Sequence, residues 1–272
     1  MPLYGVPELP EVERYRKLAE AVVGRCISLV RAPDGWYLKG GISEQGLRRA
    51  LRGRRITAAR RVGKLLLLDT SAREGLGGHG PTLGLRFGMT GRLHVDGTAG
   101  VDELIYSSNA DRPGWVRLAL RFEEGGELHI TDPRRLGSVT LDPPEARLGP
   151  DASKLSAAQL RAALAGSSAP LKARLLDQAK VAGIGNLLAD EILWRAGISP
   201  LRRAGTISGE EVDELARAVR RTVSELSRRG GSHTGDLMEH RRPGGRCPED
   251  GQALVRDTVG GRTTWWCPRH QI

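Results

Sequence analysis

Residues 7–13, Pro-Glu-Leu-Pro-Glu-Val-Glu, combine the side chains of general acid–base chemistry with two prolines. Proline fixes φ and lacks a backbone N–H, so Pro10 suits the first turn of a helix, which we predict over residues 11–21. Carboxylates in that first turn are favoured by the helix dipole. Taken alone, the segment predicts a helix start, and a chemical role for its carboxylates depends on the remainder of the chain.

Two pairs of possible metal ligands near the end of the chain have the same internal spacing. Cys247 and Asp250 are separated by two residues, as are Cys267 and His270, and a 16-residue ribbon lies between the pairs. Such spacing lets two tight knuckles converge on one tetrahedral zinc ion, with the ribbon held as a hairpin. An aspartate is an unusual ligand in a structural zinc site, so a metal-free hairpin that rests on its tryptophans and valine is the alternative.

Two glycine-rich turns have the composition of phosphate-binding sites. Gly183 and Gly185 precede Asn186 at the predicted start of a helix, where free N–H groups attract anions, and Lys172 lies upstream with a further charge. Arg262 projects from the tip of the predicted hairpin, where a basic protein favours a phosphate contact. By itself the Gly-x-Gly-Asn motif is weak, and an ordinary helix–turn–helix corner is the default interpretation of the first turn.

Two further turns, at 87–91 and 132–137, lie at the ends of predicted strands. An exposed methionine or leucine beside an arginine can wedge into a base stack. A single methionine is more often buried, and the sequence alone favours a core position for Met89.

Composition narrows the possible partners. The chain of 272 residues has 42 Lys and Arg against 32 Asp and Glu, a net charge of +10. Nucleic acid is the first partner to consider and an anionic membrane the second, although a generic basic surface has the same composition. Three cysteines indicate a reducing compartment rather than a disulfide framework. We find no signal peptide or long apolar run, which predicts a soluble, non-exported protein.

The elements that must position these residues change type along the chain. Short apolar runs between glycine-rich breaks extend to about residue 139 and predict a β-sandwich or barrel, with helices only at 11–21 and 44–51. After a proline-rich break at 141–150, the apolar residues adopt helical spacing. The helices predicted there cover residues 156–165, 170–176, 186–196 and 208–228.

Six motifs occur in the order found in one family, and the chain resembles the Fpg/Nei (MutM-like) DNA glycosylases along nearly its whole length. The motifs are Pro-Glu-Leu-Pro-Glu-Val-Glu at 7–13, Gly-Lys-Leu at 63–65, Gly-Met-Thr-Gly at 88–91, Asp-Pro-Arg-Arg-Leu-Gly at 132–137, Gly-Ile-Gly-Asn at 183–186 and Gly-Gly-Arg at 260–262.

The resemblance implies an α+β fold of two domains. An N-terminal catalytic β-sandwich with flanking helices is expected at 7–140 and a linker at 141–150. A helix–two-turns–helix DNA-binding domain is expected at 151–240 and a zinc-type β-hairpin at 241–272. The implied partner is damaged double-stranded DNA, without a membrane, for a monomer in the bacterial cytoplasm that associates with the nucleoid.

The resemblance also implies a bifunctional DNA glycosylase and AP lyase of base-excision repair. Pro7, exposed as an N-terminal amine, is the expected nucleophile at C1′ of the damaged nucleotide, and strand cleavage follows by β,δ-elimination through a Schiff base. Glu8 is the expected general acid and base, and Lys64 is expected to hold the phosphate beside the lesion.

Six residues are implied as contacts to DNA. Asn186 and Arg262, with Lys172 nearby, are expected to hold the phosphates that pinch the extruded nucleotide. The gap left in the duplex is expected to be filled by Met89, Arg134 and Leu136.

Some residues depart from the family pattern. Leu136 stands where the 8-oxoguanine branch usually has phenylalanine, and the segment 230–242 is short where that branch has a loop that caps the flipped purine. Both features favour the Nei-like side or another branch. Asp250 and His270 replace two cysteines of the four-cysteine zinc site, which still predicts one zinc ion held by Cys247, Asp250, Cys267 and His270.

An internal proline nitrogen is an amide and cannot form an iminium, so the chemistry requires a chain that starts at Pro7. We expect translation from the codon of Val6, read as the initiator methionine and then removed. The alternatives are a catalytically inactive DNA-binding protein that retains residues 1–6 and a zinc-hairpin regulator, which leaves the β-rich half without a role.

Overall fold

The computed structural model describes residues 7–73, 78–101, 104 and 112–272. The chain divides into two compact units, one of residues 11–145 and one that joins the residues up to Pro10 to 146–272. Within the described residues, no helix is both long and apolar enough to cross a membrane.

The unit of residues 11–145 contains two antiparallel sheets that share one hydrophobic core. The strands are β1 Ile27–Arg31, β2 Ile56–Val62, β3 Leu65–Thr70, β4 Leu83–Arg86, β5 Arg92–Val95, β6 Thr98–Ala99, β7 Val116–Phe122, β8 Glu127–Thr131 and β9 Ser138–Leu141. The first sheet has the strand order β1–β7–β8–β5–β6 and the second β2–β3–β4–β9. This arrangement confirms the predicted β-sandwich.

Two helices flank these sheets. The first, α1, runs from Leu9 to Ala19 and begins two residues before the predicted position. Proline is accepted at Pro10 because backbone N–H groups in the first turn have no partner within the helix. The second, α2, covers Glu44–Leu51, and the Ser43 side chain caps it by accepting a hydrogen bond from the backbone N–H of Gly46.

The other unit is helical, as predicted from the period of its apolar residues. Its helices are α3 Ala157–Leu164, α4 Leu171–Leu176, α5 Asn186–Arg195 and α6 Gly209–Arg229. Capping boxes at Ser156 and Ser208 start α3 and α6. The buried core of these helices also includes Leu9, which agrees with the assignment of the residues up to Pro10 to this unit.

The predicted hairpin consists of β10, Val255–Val259, and β11, Arg262–Trp266. Gly260 and Gly261 connect the strands with φ of 60° and 71°, values that favour glycine in a two-residue turn. A Cβ at Gly260 would lie 3.0 Å from that of Ala173, so the hairpin tip closely approaches α4. This approach fixes the start of β11 relative to the helices.

Candidate active site and nucleic-acid interface

The Glu8 side chain caps the N-terminus of α5. Its carboxylate accepts hydrogen bonds from the backbone N–H groups of Gly185 (3.1 Å), Leu187 (2.9 Å) and Leu188 (3.0 Å), and the residue is 1% exposed. The first N–H groups of a helix have no partner within the helix, and Gly185 at the N-cap has no side chain to supply one. A carboxylate is therefore held in place immediately after Pro7.

Gly185 is required by space rather than by backbone conformation. A Cβ at this position would lie 2.2 Å from Cδ of Glu8, whereas its φ of −112° is accessible to any residue. Gly183 is required for both reasons. Its φ of +113° favours glycine, and a Cβ at this position would lie 2.5 Å from Cδ1 of Leu9. The Gly-Ile-Gly-Asn turn thus provides the room that Glu8 needs.

Gln178 shapes this turn from within. Its side-chain oxygen accepts a hydrogen bond from the N–H of Gly183 at 3.0 Å, and its amide nitrogen donates to the carbonyls of Leu176 and Ile184, both at 2.9 Å. No spacing or composition signal distinguished this residue in the sequence. These three hydrogen bonds fix the backbone of the turn that precedes α5.

Asn186 and Lys172 converge on one backbone carbonyl in β11. The Asn186 amide donates to the carbonyl of Thr263 at 3.0 Å, and the Lys172 ammonium donates to the same oxygen at 3.1 Å. Lys172 also donates to the hydroxyl of Thr264 at 2.7 Å. These bonds hold Thr263 in place. The side chain of Arg262, the residue before it, is exposed at the beginning of β11.

The structure places Lys172 inside the helical unit rather than at its surface. Its ammonium lies 2.7 Å from a carboxylate oxygen of Asp190, and both side chains are fully buried. Burial lowers the pKa of Lys172, while the Asp190 carboxylate opposes the shift. The expectation of a free charge beside Asn186 is thus corrected, because an acidic partner on α5 draws the lysine inward.

Asp190 connects further elements to this buried pair. Its other oxygen accepts hydrogen bonds from the guanidinium of Arg241, at 2.7 and 3.1 Å, and from the backbone N–H of Trp265 at 3.3 Å. Asp190 and Arg241 were missed in the sequence, although a carboxylate four residues after Asn186 on an apolar helix was an available signal. The network joins α4, α5, β11 and the short segment before the hairpin.

Lys64 lies in the other unit, in the turn between β2 and β3. It follows Gly63, whose φ is 56°, and its side chain is half-buried. The two-residue connection places the lysine at the end of the long β2–β3 ladder, one residue before β3 begins. The position of the Lys64 backbone is therefore set by the β2–β3 pairing.

The turn of Met89 packs against the turn of Leu136. A Cβ at Gly88, where φ is +57°, would lie 2.4 Å from the backbone of Leu136. Met89 is half-buried and lies outside the buried core, which corrects the expectation of a core position. Because its turn faces a second turn rather than a sheet, Met89 remains accessible.

Asp132 holds these two turns together. Its buried carboxylate accepts hydrogen bonds from the backbone N–H groups of Arg134 (3.2 Å) and Gly137 (2.8 Å) and from the hydroxyl of Thr90 (2.5 Å). Arg134 is exposed, and Leu136 is 50% exposed. An arginine and a leucine are thus presented to solvent on a turn that a buried carboxylate fixes.

The hairpin contains a group of possible metal ligands. One ligand atom each of Cys247, Asp250 and Cys267 lies within 4.8 Å of the others. Burial raises the pKa of the Cys267 thiol, and the thiol accepts a hydrogen bond from the backbone N–H of His270 at 3.3 Å. The His270 ring lies outside this group, with Nε2 at 2.8 Å from the carbonyl of Trp194.

Comparisons with known proteins agree with this geometry. The model of the formamidopyrimidine-DNA glycosylase N-terminal domain matches residues 6–139, and that of the H2TH domain of the same enzymes matches 148–236. A formamidopyrimidine-DNA glycosylase of Stenotrophomonas maltophilia is 36% identical over 98% of this chain and 100% of its own. The chain belongs to the formamidopyrimidine-DNA glycosylase family. The predicted resemblance is thereby confirmed.

Other members of the formamidopyrimidine-DNA glycosylase family support the same assignment. A relative from Paracoccus denitrificans is 35% identical over 97% of this chain and 99% of its own. A solved structure of MutM with DNA containing carbocyclic 8-oxo-G is 25% identical, with a TM-score of 0.80 over 97% of this chain and 99% of that one. The solved structure of the LlFpg protein in complex with THF-DNA and an inhibitor is also 25% identical to this chain. Its TM-score is 0.80, over 98% of this chain and 100% of that one.

Proposed function

We propose that the protein is a bifunctional DNA glycosylase and AP lyase that acts on damaged bases in double-stranded DNA. The observation that carries the proposal is the Glu8 carboxylate, buried at the N-terminus of α5 and adjacent in sequence to Pro7. Family membership and the names of the relatives support it. Two similar structures are complexes of those proteins with DNA, one of MutM with DNA that contains carbocyclic 8-oxo-G and one of the LlFpg protein with THF-DNA.

The proposed chemistry begins with the secondary amine of Pro7. The nitrogen lone pair forms a bond to C1′ while the C1′–base bond breaks, and the base leaves with its electron pair and takes up a proton. Attack leaves a proton on the Pro7 nitrogen; the Glu8 carboxylate takes up this proton and passes it to the sugar ring oxygen, and the bond from C1′ to the ring oxygen breaks to give the iminium. With the help of a general base, β-elimination releases the 3′ phosphate and δ-elimination then releases the 5′ phosphate. These two steps cleave the strand while Lys64 holds a neighbouring phosphate.

The remaining site residues are proposed as contacts to the DNA backbone and to the gap in the duplex. Asn186 and Arg262 bind phosphates, and Met89, Arg134 and Leu136 fill the space left by the extruded nucleotide. Lys172 does not contact DNA in this proposal. It positions Thr263, and through it the neighbouring Arg262.

The mechanism requires a chain that begins at Pro7. The match to the N-terminal family model starts at residue 6, which supports translation from the codon of Val6 followed by removal of the initiator.

We also propose a functional division of the chain. A catalytic β-sandwich covers 7–140, a linker 141–150, a helix–two-turns–helix DNA-binding domain 151–240 and a zinc-type hairpin 241–272. The protein then acts as a monomer in the bacterial cytoplasm, associated with the nucleoid.

Borohydride trapping tests the enzymatic proposal directly. A protein that starts at Pro7 is incubated with a duplex that contains an abasic site, and sodium borohydride reduces any Schiff base to a stable amine. We expect a covalent protein–DNA adduct and, without borohydride, cleavage by β,δ-elimination. Tight binding without an adduct would contradict the enzyme and favour the DNA-binding protein that lacks chemistry.

We further propose that the hairpin holds one structural zinc ion. Two thiols and a carboxylate are donors that zinc accepts, and the ligand atoms of Cys247, Asp250 and Cys267 already lie close together. We assign His270 as the fourth ligand through Nδ1, because donation from Nε2 to the Trp194 carbonyl leaves the lone pair on Nδ1, and its ring must approach the other three ligands when the ion binds. The ion would stabilise the hairpin and takes no part in the reaction.

Metal analysis of the purified protein tests this site. We expect one zinc ion per chain, a distinctive thiolate charge-transfer absorption after substitution with cobalt, and at least a roughly tenfold loss of metal affinity in Cys267→Ser. Cys26→Ser is the matched control, since Cys26 lies in the other unit. A wild-type protein that is free of metal and keeps its unfolding temperature in chelator would refute the zinc site.

A further inference from the structure

The loop of residues 33–39, between β1 and α2, runs beside the turn that presents Leu136. The N–H of Val139 donates to the carbonyl of Tyr37, and the N–H of Lys39 donates to the carbonyl of Val139, both at 2.9 Å. A Cβ at Gly137 would lie 2.1 Å from the Tyr37 hydroxyl, so the two segments are in close contact. The loop therefore has a fixed position next to the Leu136 turn.

One carboxylate links the two segments through side chains. Asp34 accepts hydrogen bonds from the guanidinium of Arg135 at 2.6 and 2.7 Å and lies 3.3 Å from that of Arg117. The Arg135 hydrogen bond and charge hold the pKa of Asp34 below its usual value, so the pair is ionised at neutral pH. Asp34 also accepts from the backbone N–H of Trp36 at 3.1 Å. The same group thus orients Trp36 and the residue before Leu136.

Trp36 is exposed to an extent that folding alone does not explain. Its relative exposure is 66%, and among the described large apolar residues only Ile272, the last residue of the sequence, is more exposed. The Lys39 ammonium lies 4.1 Å from the centroid of the Trp36 ring. An indole held at the surface together with a cation is a surface suited to aromatic and anionic groups.

We propose that Trp36 is a second DNA contact, which stacks on the base left unpaired when the damaged nucleotide is extruded. The proposal rests on the proposed function, in which Leu136 fills the gap in the duplex. Extrusion leaves one base without its partner, and that base is close to whatever fills the gap. Every base has a π-face, so a neighbouring indole binds it with little dependence on sequence, and Lys39 adds positive charge for the backbone.

The chain offers matched variants to test this contact. Trp36→Ala removes the ring and Trp36→Phe keeps an aromatic face. Leu29→Ala is the control, because Leu29 is an exposed apolar residue of β1 in the same unit, at 42% exposure. The DNA is a duplex with a tetrahydrofuran abasic analogue opposite 2-aminopurine, whose fluorescence falls when an aromatic ring stacks on it.

We expect Trp36→Ala to bind this duplex about 5- to 50-fold more weakly than wild type, with Trp36→Phe within about threefold. Wild type should quench 2-aminopurine more strongly than Trp36→Ala, whereas Leu29→Ala should match wild type in both measurements. Far-UV circular dichroism and thermal unfolding establish whether each variant is folded. If Trp36→Ala does not fold, the comparison of Trp36→Phe with wild type and Leu29→Ala still tests the contact.

Unchanged affinity and unchanged quenching in Trp36→Ala would overturn the contact. A loss of self-association in place of DNA binding would assign Trp36 to an interface between copies of the chain and would also overturn it. If wild type binds the duplex with the expected dependence on Trp36 but gives no borohydride adduct, the enzymatic proposal fails and the contact stands. If wild type does not bind the duplex, both fail.

Discussion

Replacing Glu8 with glutamine should lower the single-turnover rate of base release by about 100- to 10,000-fold. Glutamine has nearly the same shape, but it cannot donate the proton to the sugar and its NH₂ group cannot accept from the N–H groups at the start of α5. The rate is measured on a duplex with a damaged base, and borohydride trapping on a preformed abasic site measures the later steps separately. The trapping yield should fall less than base release.

Two further variants distinguish chemistry from folding in this experiment. Glu20→Gln changes an exposed carboxylate just after α1 and should leave the rate unchanged. Gly185→Ala keeps Glu8 but places a Cβ where its carboxyl group lies, so it should also lower the rate. Thermal unfolding of each variant gives the cost of the lost cap, expected at about 1 to 3 kcal/mol for Glu8→Gln. A Glu8→Gln rate within threefold of wild type would exclude Glu8 as the acid.

The protein that begins at Pro7 should form a borohydride-trapped adduct, and the same protein that begins at Met1 should form none above background. In the longer chain the Pro7 nitrogen belongs to a peptide bond, and its lone pair is delocalised into the carbonyl. As a terminal amine it has a reference pKa near 8, so a usable fraction is neutral at physiological pH. The two proteins are compared by adduct yield on one abasic duplex, with equal folding shown by circular dichroism.

Chemical blocking supplies the control for this comparison. Acetylation of the Pro7 amine in the shorter protein should abolish the adduct while DNA binding persists, since acetylation restores an amide without adding residues. Equal adduct yields from the two chain starts would contradict Pro7 as the nucleophile. Intact mass of protein made from the native gene then shows which start the cell uses.

The elements that could be predicted from the sequence are those set by residues close together in the chain. The start of α5 was evident because a Gly-x-Gly-Asn turn ends at a residue suited to a helix N-terminus. The hairpin was evident because two ligand pairs bracket a ribbon with a glycine turn. Both predictions depend on residues within a few positions of one another, and the structure contains both elements.

Contacts between distant residues were beyond the reach of local patterns. The bond from Glu8 to Gly185 joins residues 177 positions apart, and only the family resemblance suggested a role for Glu8. The sequence predicts that Lys172 adds a charge beside Asn186, because lysines are mostly exposed, but the ion pair with Asp190 allows Lys172 to be fully buried. The sequence predicts a core position for Met89 because a single methionine is usually buried, and no local pattern shows that the turn of Leu136 packs beside its own.

The chain passes from one unit to the other within α1, between Pro10 and Glu11, so Pro7 and Glu8 belong to the unit completed last during translation. Glu8 acquires its full set of backbone donors only after Leu188 has been synthesised. At about 5 to 20 residues per second, those 180 further residues take roughly 10 to 40 s. An unfinished or truncated chain therefore lacks the assembled acid.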